Sequence, residues 1–219
     1  MPAPLIYLIH ATPLSIAPIT EAFSRLWPEA RLANLLEDSL SRDLADAGEL
    51  TPEMSQRFLK LATYAAESGA DAILFTCSAF GDSIDLCKRS LSIPILKPNE
   101  AMIEEAVQRS RKISILSTFP LAITSMTEEF QSFARQQGVA IELSAHVCPE
   151  AFDELRKGNA DRHDQLITDM ARTVTNGELL CFAQFSMARA AQQASQASSL
   201  PVLTTPDSAI LKLRSLLEA

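Results

Sequence analysis

The sequence predicts an α/β protein built from two duplicated lobes. Each lobe is a four-stranded, mainly parallel sheet flanked by helices, with a pseudo-twofold cleft between the lobes. Three observations carry this. First, PLSIAPITEAF (Pro13 to Phe23) matches PLAITSMTEEF (Pro120 to Phe130) at Pro, Leu, Ile, Thr, Glu and Phe, 107 positions apart. Second, SIPIL from Ser92 matches SLPVL from Ser199 at the same offset. Third, the run Asp71 to Cys77 falls, again 107 positions on, upon Glu178 to Gln184. In that pair an acidic residue opens each segment, Phe75 matches Phe182, and Cys77 falls on Gln184. Co-registered segments at a constant offset, with a copy number of two, indicate a duplicated lobe rather than a solenoid.

The elements follow in order. Leu5 to Ile9 reads as a strand, Ile16 to Leu26 as a helix and Ala30 to Leu35 as a weak strand. Pro52 to Ser68 is a helix with Thr51 as its N-cap and Pro52 at the first helical position. Gly69 stops it in the C-cap role. Ala72 to Thr76 has no polar alternation, so it reads as a strand buried on both faces. Helix 83–90, strand 93–96 and helix 100–109 complete the first half. The second half repeats the order: strand 113–117, helix 121–136, strand 139–144, helix 161–175, strand 179–183, helix 187–197, strand 201–203 and helix 207–218. Gly138 divides helix from strand as Gly69 does. Strands alternating with helices imply parallel sheets, which bind ligands beyond the carboxyl ends of their strands. The expected division is 1–98 with 206–219 as the first lobe and 99–205 as the second.

Composition narrows the function. The 219 residues are 47% hydrophobic, enough for a packed core, and the net charge of −8 offers no basic face for nucleic acid. No apolar run is long enough for a membrane span, and the N-terminal MPAPLIYLIHATPLS lacks the basic residues of a leader. A soluble cytoplasmic protein is expected, with no nucleic-acid or membrane partner. The four cysteines, Cys77, Cys87, Cys148 and Cys181, contain no CxxC pair, and disulfides are not expected. His146 and Cys148 find no second cluster of ligands, so no metal is expected.

The chemistry belongs at the strand ends. Four loops leave equivalent strands: His10–Pro13, Thr76–Gly81, Ser117–Pro120 and Ala183–Met187. They are rich in hydroxyls and small side chains. Cys77 lies where a buried strand enters a helix, and backbone N–H groups and the helix dipole there favour an anion or a thiolate. Such a cysteine is expected to have a lowered pKa, although a buried apolar cysteine closing a strand is the alternative reading. Cys181 falls inside its strand, and Cys87 and Cys148 read as structural. His10 ends the first strand and reads as a hydrogen-bonding lining residue more readily than as a base. His163 reads as a helix-surface residue. The Lys97–Glu100 turn reads as solvated. No phosphate loop, nucleotide fingerprint or serine-hydrolase elbow occurs.

The duplicated halves, the run FTCSAFG from Phe75 and the run FAQFSMA from Phe182 resemble the cofactor-independent aspartate/glutamate racemase superfamily. That group includes glutamate, aspartate and hydantoin racemases, maleate isomerase and arylmalonate decarboxylase. In glutamate-type racemases the first run looks like CNT and the second like CTH. One thiolate removes the Cα proton and the other thiol returns it from the opposite face. The resemblance implies two α/β lobes with the last helix returning to the first, no cofactor, and a small carboxylate as substrate; it leaves a homodimer open. Carried over by position, Cys77 matches the first catalytic cysteine and Ser78 its carboxylate-binding neighbour. Thr118 falls in a loop that donates to the substrate carboxylate, and Ser186 lies near the second anion site. Thr12 is an available donor, and His10 has no assigned counterpart. Gln184 stands where the second cysteine belongs, and a neutral amide exchanges no proton with carbon.

Two readings follow. One is a racemase-family isomerase, racemase or decarboxylase using Cys77 alone as proton donor, proton acceptor or nucleophile. In it Ser78, Thr118, Gln184 and Ser186 stabilise the carboxylate. The other is a non-catalytic protein that binds small carboxylates. No Arg or Lys is aimed at the strand ends, so neutral donors are expected to hold the acid.

Overall fold

The computed structural model describes residues 3–218, apart from the side chain of Leu121. Met1, Pro2 and Ala219, which the expected division assigned to the first lobe, lie outside the described residues. The chain forms two units, one of residues up to Pro98 together with those from Ala209, the other of Asn99–Ser208.

In unit 1 the strands are β1 (Leu5–His10), β2 (Arg31–Leu36), β3 (Ala72–Phe75) and β4 (Ile95–Leu96), ordered β2-β1-β3-β4. Every pairing is parallel. Burial follows position. β3 is buried throughout, and β1 after its first residue, whereas the edge strand β2 keeps exposed residues at Arg31, Asn34 and Leu36. A strand with neighbours on both sides and helices on both faces has no solvent-facing side, hence the unbroken apolar run AILF.

The helices are α1 (Ile16–Leu26), α2 (Ser39–Ala47), α3 (Pro52–Glu67) and α4 (Gly81–Ser90). Tyr7, Ile9, Ile73 and Phe75 share a core with Leu40 of α2, Met54, Phe58 and Ala62 of α3, and Ile84 and Cys87 of α4. Phe58 lies at its centre, 5.4 Å from Phe75 and 4.5 Å from Phe80 between ring centroids. Thr51 caps α3 as expected, its hydroxyl accepting from Met54 N at 3.3 Å. Gly69 ends the helix at φ +85, a conformation that penalises any Cβ. Arg57 of α3 is paired with Glu37 and Asp43 on either side of the start of α2.

Unit 2 has β5 (Lys112–Ser117), β6 (Glu142–Val147), β7 (Leu179–Phe182) and β8 (Val202–Thr204), ordered β6-β5-β7-β8, all parallel. Its helices are α5 (Glu100–Arg109), α6 (Pro120–Gln136), α7 (Pro149–Arg156), α8 (Ala160–Thr173) and α9 (Ala191–Ser198). One face packs Ile113, Ile115, Cys181 and Leu203 against α5 and α6. The other packs Leu116, Leu180 and Phe182 against α7, α8 and α9. So α5, which follows β4 in the chain, lies on the sheet of unit 2. The last helix, α10 (Thr205–Glu218), belongs from Ala209 onward to unit 1. There Arg214 donates to Leu26 O at 3.4 Å.

The units correspond strand for strand, but the 107-residue offset lapses once. β1 and β3 map onto β5 and β7 at that offset, while the register partners Arg31 and Glu142 stand 111 apart. α6 has 17 residues where α1 has 11, and the excess is removed before α8. Strand β6 therefore begins at Glu142 rather than the expected position 139; Val139 and Ile141 pack against the core ahead of it. Two helices, α2 and α7, fall where no element was expected. Their sequences SLSRDLADA and PEAFDELR are short and sparsely apolar, and docking on the unit holds them. The expected helix 187–197 is a 3₁₀ segment over Phe185–Ala190 followed by α9.

Phe58 of α3 is fully buried against Phe75 of β3 and Phe80. Phe58→Ala should lower the unfolding free energy by about 3–5 kcal/mol, measured by urea denaturation.

Candidate active site

Each unit ends its first and third strands side by side, and the site residues gather there. In unit 1, Thr76 N donates to Ile9 O at 3.1 Å, carrying the β1–β3 ladder one step beyond the strand. Cys77 follows in extended conformation and caps a 3₁₀ turn, Ser78–Phe80, that leads into α4. It is half-buried, whereas Cys87, Cys148 and Cys181 are buried. All four thiols are free.

The expected lowering of the Cys77 pKa is reversed. Burial pushes the thiol up, and the Ala79 N–H only partly opposes it. A helix terminus stabilises a thiolate that water can also reach, but withdrawing a charge from water costs more than one N–H returns. Burial likewise pushes Cys87 up to about 11, and Cys148 and Cys181 upward.

His10 is fully buried at the end of β1. Its Nδ1 lies 2.8 Å from Thr76 Oγ1 and 3.1 Å from Ser15 Oγ, and its Nε2 lies 2.9 Å from Asn34 Oδ1. Asn34 presents a carbonyl oxygen, so Nε2 carries the proton and Nδ1 accepts. Burial lowers the His10 pKa, against the raising effect of the Asn34 bond. The histidine is thus a neutral strut, hydrogen-bonded as expected but fully buried rather than lining the strand end. Ser15 completes the network, 2.8 Å from Thr76 Oγ1 and donating to Thr12 O at 3.1 Å. The Thr12 hydroxyl accepts from Leu14 N at 3.4 Å in the same turn. Ser78 is half-buried beside Cys77. Lys97, expected to be solvated, is instead paired with Asp85 of α4 at 2.6 Å.

In unit 2 the matching backbone bond runs from Ala183 N to Leu116 O at 2.9 Å. Gln184 follows and is bonded at both ends of its amide. Oε1 accepts from Thr118 N at 2.9 Å and Thr118 Oγ1 at 3.4 Å, and Nε2 donates to Ser117 Oγ at 2.7 Å. Ser117 also donates to Phe119 O at 2.9 Å and accepts from Phe119 N at 3.1 Å, which uses all of its capacity. Thr118 is 1% exposed, so its donors face Gln184 rather than solvent. Ser186 is half-buried in the 3₁₀ segment after Gln184.

His163 corrects another expectation. It is not on a helix surface but fully buried in α8, with Nδ1 2.8 Å from Asp164 and Nε2 unpaired. His146 lies 3.3 Å from Ser144 Oγ, and Cys148 donates weakly to Glu150 at 3.7 Å. Among the described residues no group of three or more His, Cys, Asp or Glu is placed to hold a metal ion. Nor is any helix among them long and apolar enough to cross a membrane.

The sequence singled out His10 and Thr118 but not the partners that define them, Thr76, Ser15, Asn34 and Ser117. One signal was available: at the repeat offset Ser117 falls on His10, so both polar residues close equivalent strands.

Residues 18–213 match the sequence profile of the family described as Asp/Glu/Hydantoin racemase. The chain belongs to that family. Solved structures agree on the fold. Aspartate racemase from Picrophilus torridus superposes with a TM-score of 0.76 at 9% identity, over 99% of this chain and 95% of that one. Glutamate racemase from Thermus thermophilus gives 0.70 at 17% identity, over 99% and 81%. Allantoin racemase from Klebsiella pneumoniae gives 0.67 at 17%, over 99% and 88%. No match is found among curated proteins. At these identities the structural likeness speaks to the fold alone.

Two measurements check the site. In the native protein iodoacetamide should modify Cys77 before the three buried cysteines, at a rate that keeps rising above pH 9.0 because burial holds the thiol protonated; peptide mass spectrometry gives the order. His10 has a folded pKa below its unfolded value of 6.5. Its contribution to stability is therefore present above pH 6.5 and lost as pH falls through the lower folded value. Denaturation at a series of pH values should show that loss, and His10→Gln should reduce it.

Proposed function

We propose that this racemase-family chain is a cofactor-independent enzyme that acts at Cα of a small carboxylic acid, with Cys77 as its single working thiol. The observation that carries this is the unequal treatment of two matching positions. Cys77 is half-buried and its thiol is not tied to the first-strand loop, whereas Gln184 is bonded through both ends of its amide. Two-sided proton exchange needs an acid–base group on each face of Cα, and an amide supplies none.

The raised Cys77 pKa favours one half of that chemistry. A thiol held protonated is poised to donate a proton to a carbanion or enediolate rather than to abstract one from Cα. Decarboxylation followed by protonation on one face, or an isomerisation that ends in protonation, fits this better than racemisation. In the decarboxylation, the C–C bond electrons pass to the enediolate as CO₂ leaves. The Cα then takes the thiol proton, and solvent reprotonates the sulfur. Ser78 and the N–H groups of the turn after Cys77 are the neutral donors best placed along the chain to meet the carboxylate.

A non-catalytic carboxylate-binding protein is the second reading, favoured by the amide of Gln184 standing where a second acid–base group would be needed. One experiment separates the two. Aryl- and alkyl-malonates, maleate, hydantoins and amino acids are incubated with the protein in D₂O and followed by NMR. The enzyme reading expects one deuteron at Cα of a single product enantiomer, and a loss of about 10²–10⁴-fold in rate in Cys77→Ala. Undiminished activity in Cys77→Ala would refute the role given to the thiol. Ligand shifts without turnover across the panel would leave binding as the function.

A further inference from the structure

Thr118 and Gln184 meet within one unit, and their geometry has a meaning separate from any reaction at Cys77. The Thr118 N–H and hydroxyl converge on one oxygen, Gln184 Oε1, at 2.9 and 3.4 Å. A backbone N–H and an adjacent hydroxyl aimed at one oxygen form a donor pair suited to a carboxylate oxygen. Here the chain itself provides the oxygen, in a position where Thr118 is 1% exposed. The far end of the same amide is held by Ser117 Oγ at 2.7 Å. Swinging Gln184 away would break these bonds together and leave a buried N–H without a partner.

The other unit shows why Gln184 is placed so. There the tie to the first strand is made one residue earlier, by Thr76 to His10, and residue 77 is left out of it. Ala183 stands at the position matching Thr76 and has no polar side chain, so residue 184 makes the tie itself. We infer that Gln184 is an internal ligand: its amide fills a small-carboxylate seat at the end of β5 and closes that seat to acids from solution. Gln184 is then a positioning residue for the β5–α6 loop, and Thr118 does not serve as a substrate donor in the wild-type protein.

The inference predicts a seat that opens when the internal ligand is removed. Gln184→Ala deletes a fragment the size of acetamide or acetate. Acetate placed there has one oxygen for the Thr118 donors, and its second is met once the Ser117 hydroxyl turns from Phe119 O to donate to it. Uniformly labelled protein tests this by NMR. In the wild type, a long-range HNCO spectrum should show coupling across the hydrogen bond from Thr118 N to the Gln184 side-chain carbonyl carbon. That coupling should persist in acetate. In Gln184→Ala the Thr118 amide peak should move with acetate, at a half-saturation at least about tenfold below any wild-type response. Acetamide should also move the peak, because its oxygen meets the Thr118 donors and its NH₂ can donate to Ser117 Oγ as Gln184 Nε2 does. Absence of the wild-type coupling, its loss in acetate, or a folded Gln184→Ala whose Thr118 peak ignores acetate would each overturn the inference. Should the alanine variant not fold, the wild-type coupling and its response to acetate decide alone.

Discussion

The site depends on the hydrogen-bonded tie that joins the end of the first strand of each unit to the loop leaving the third. Central parallel strands are buried on both faces, so the groups that emerge at their carboxyl ends meet little water. Each buried donor or acceptor left unpaired there costs about 1–3 kcal/mol. The backbone meets this demand identically in both units, with Thr76 N to Ile9 O at 3.1 Å and Ala183 N to Leu116 O at 2.9 Å. The side chains meet it differently. Unit 1 uses His10, Thr76 and Ser15, and unit 2 uses Ser117, Thr118 and Gln184.

That difference of one residue separates the two strand ends chemically. Where Thr76 makes the tie, Cys77 takes no part in it. Where Ala183 cannot make it, Gln184 is consumed. The chain belongs to the Asp/Glu/hydantoin racemase family, and its two matching strand ends carry unlike side chains, Cys77 half-buried and Gln184 bonded through both ends of its amide. The same burial that demands the tie also raises the Cys77 thiol. Packing therefore bears on the protonation of Cys77 as directly as residue identity does.

Much of the fold was legible because it rests on local patterns. The bounds of α1 and α5 follow from apolar periodicity, and the Thr51–Pro52 start and the Gly69 stop of α3 from capping chemistry. The unbroken apolar runs of β3 and β7 mark central strands. Less was legible where stability comes from docking. Helices α2 and α7 have few apolar residues of their own. The start of β6 is set by register against β5, since Val139 and Ile141 are as apolar as strand residues yet pack ahead of it. His163 sits among polar neighbours in the sequence, and only the packing of α8 shows it buried.

By itself the sequence determined that the chain is a two-unit α/β protein and that Cys77 and Gln184 occupy equivalent strand ends. Both conclusions rest on repeat spacing and hydrophobic period, which are local properties of the chain. Tertiary contacts set which of those side chains are hydrogen-bonded and how deeply they lie. The hydrogen bond from Thr118 to Gln184 spans 66 residues, that from Gln184 to Ser117 spans 67, and that between Thr76 and His10 spans 66. Whether a side chain is free or committed, and whether a thiol is raised or lowered, depends on neighbours brought from that distance and on the water they exclude.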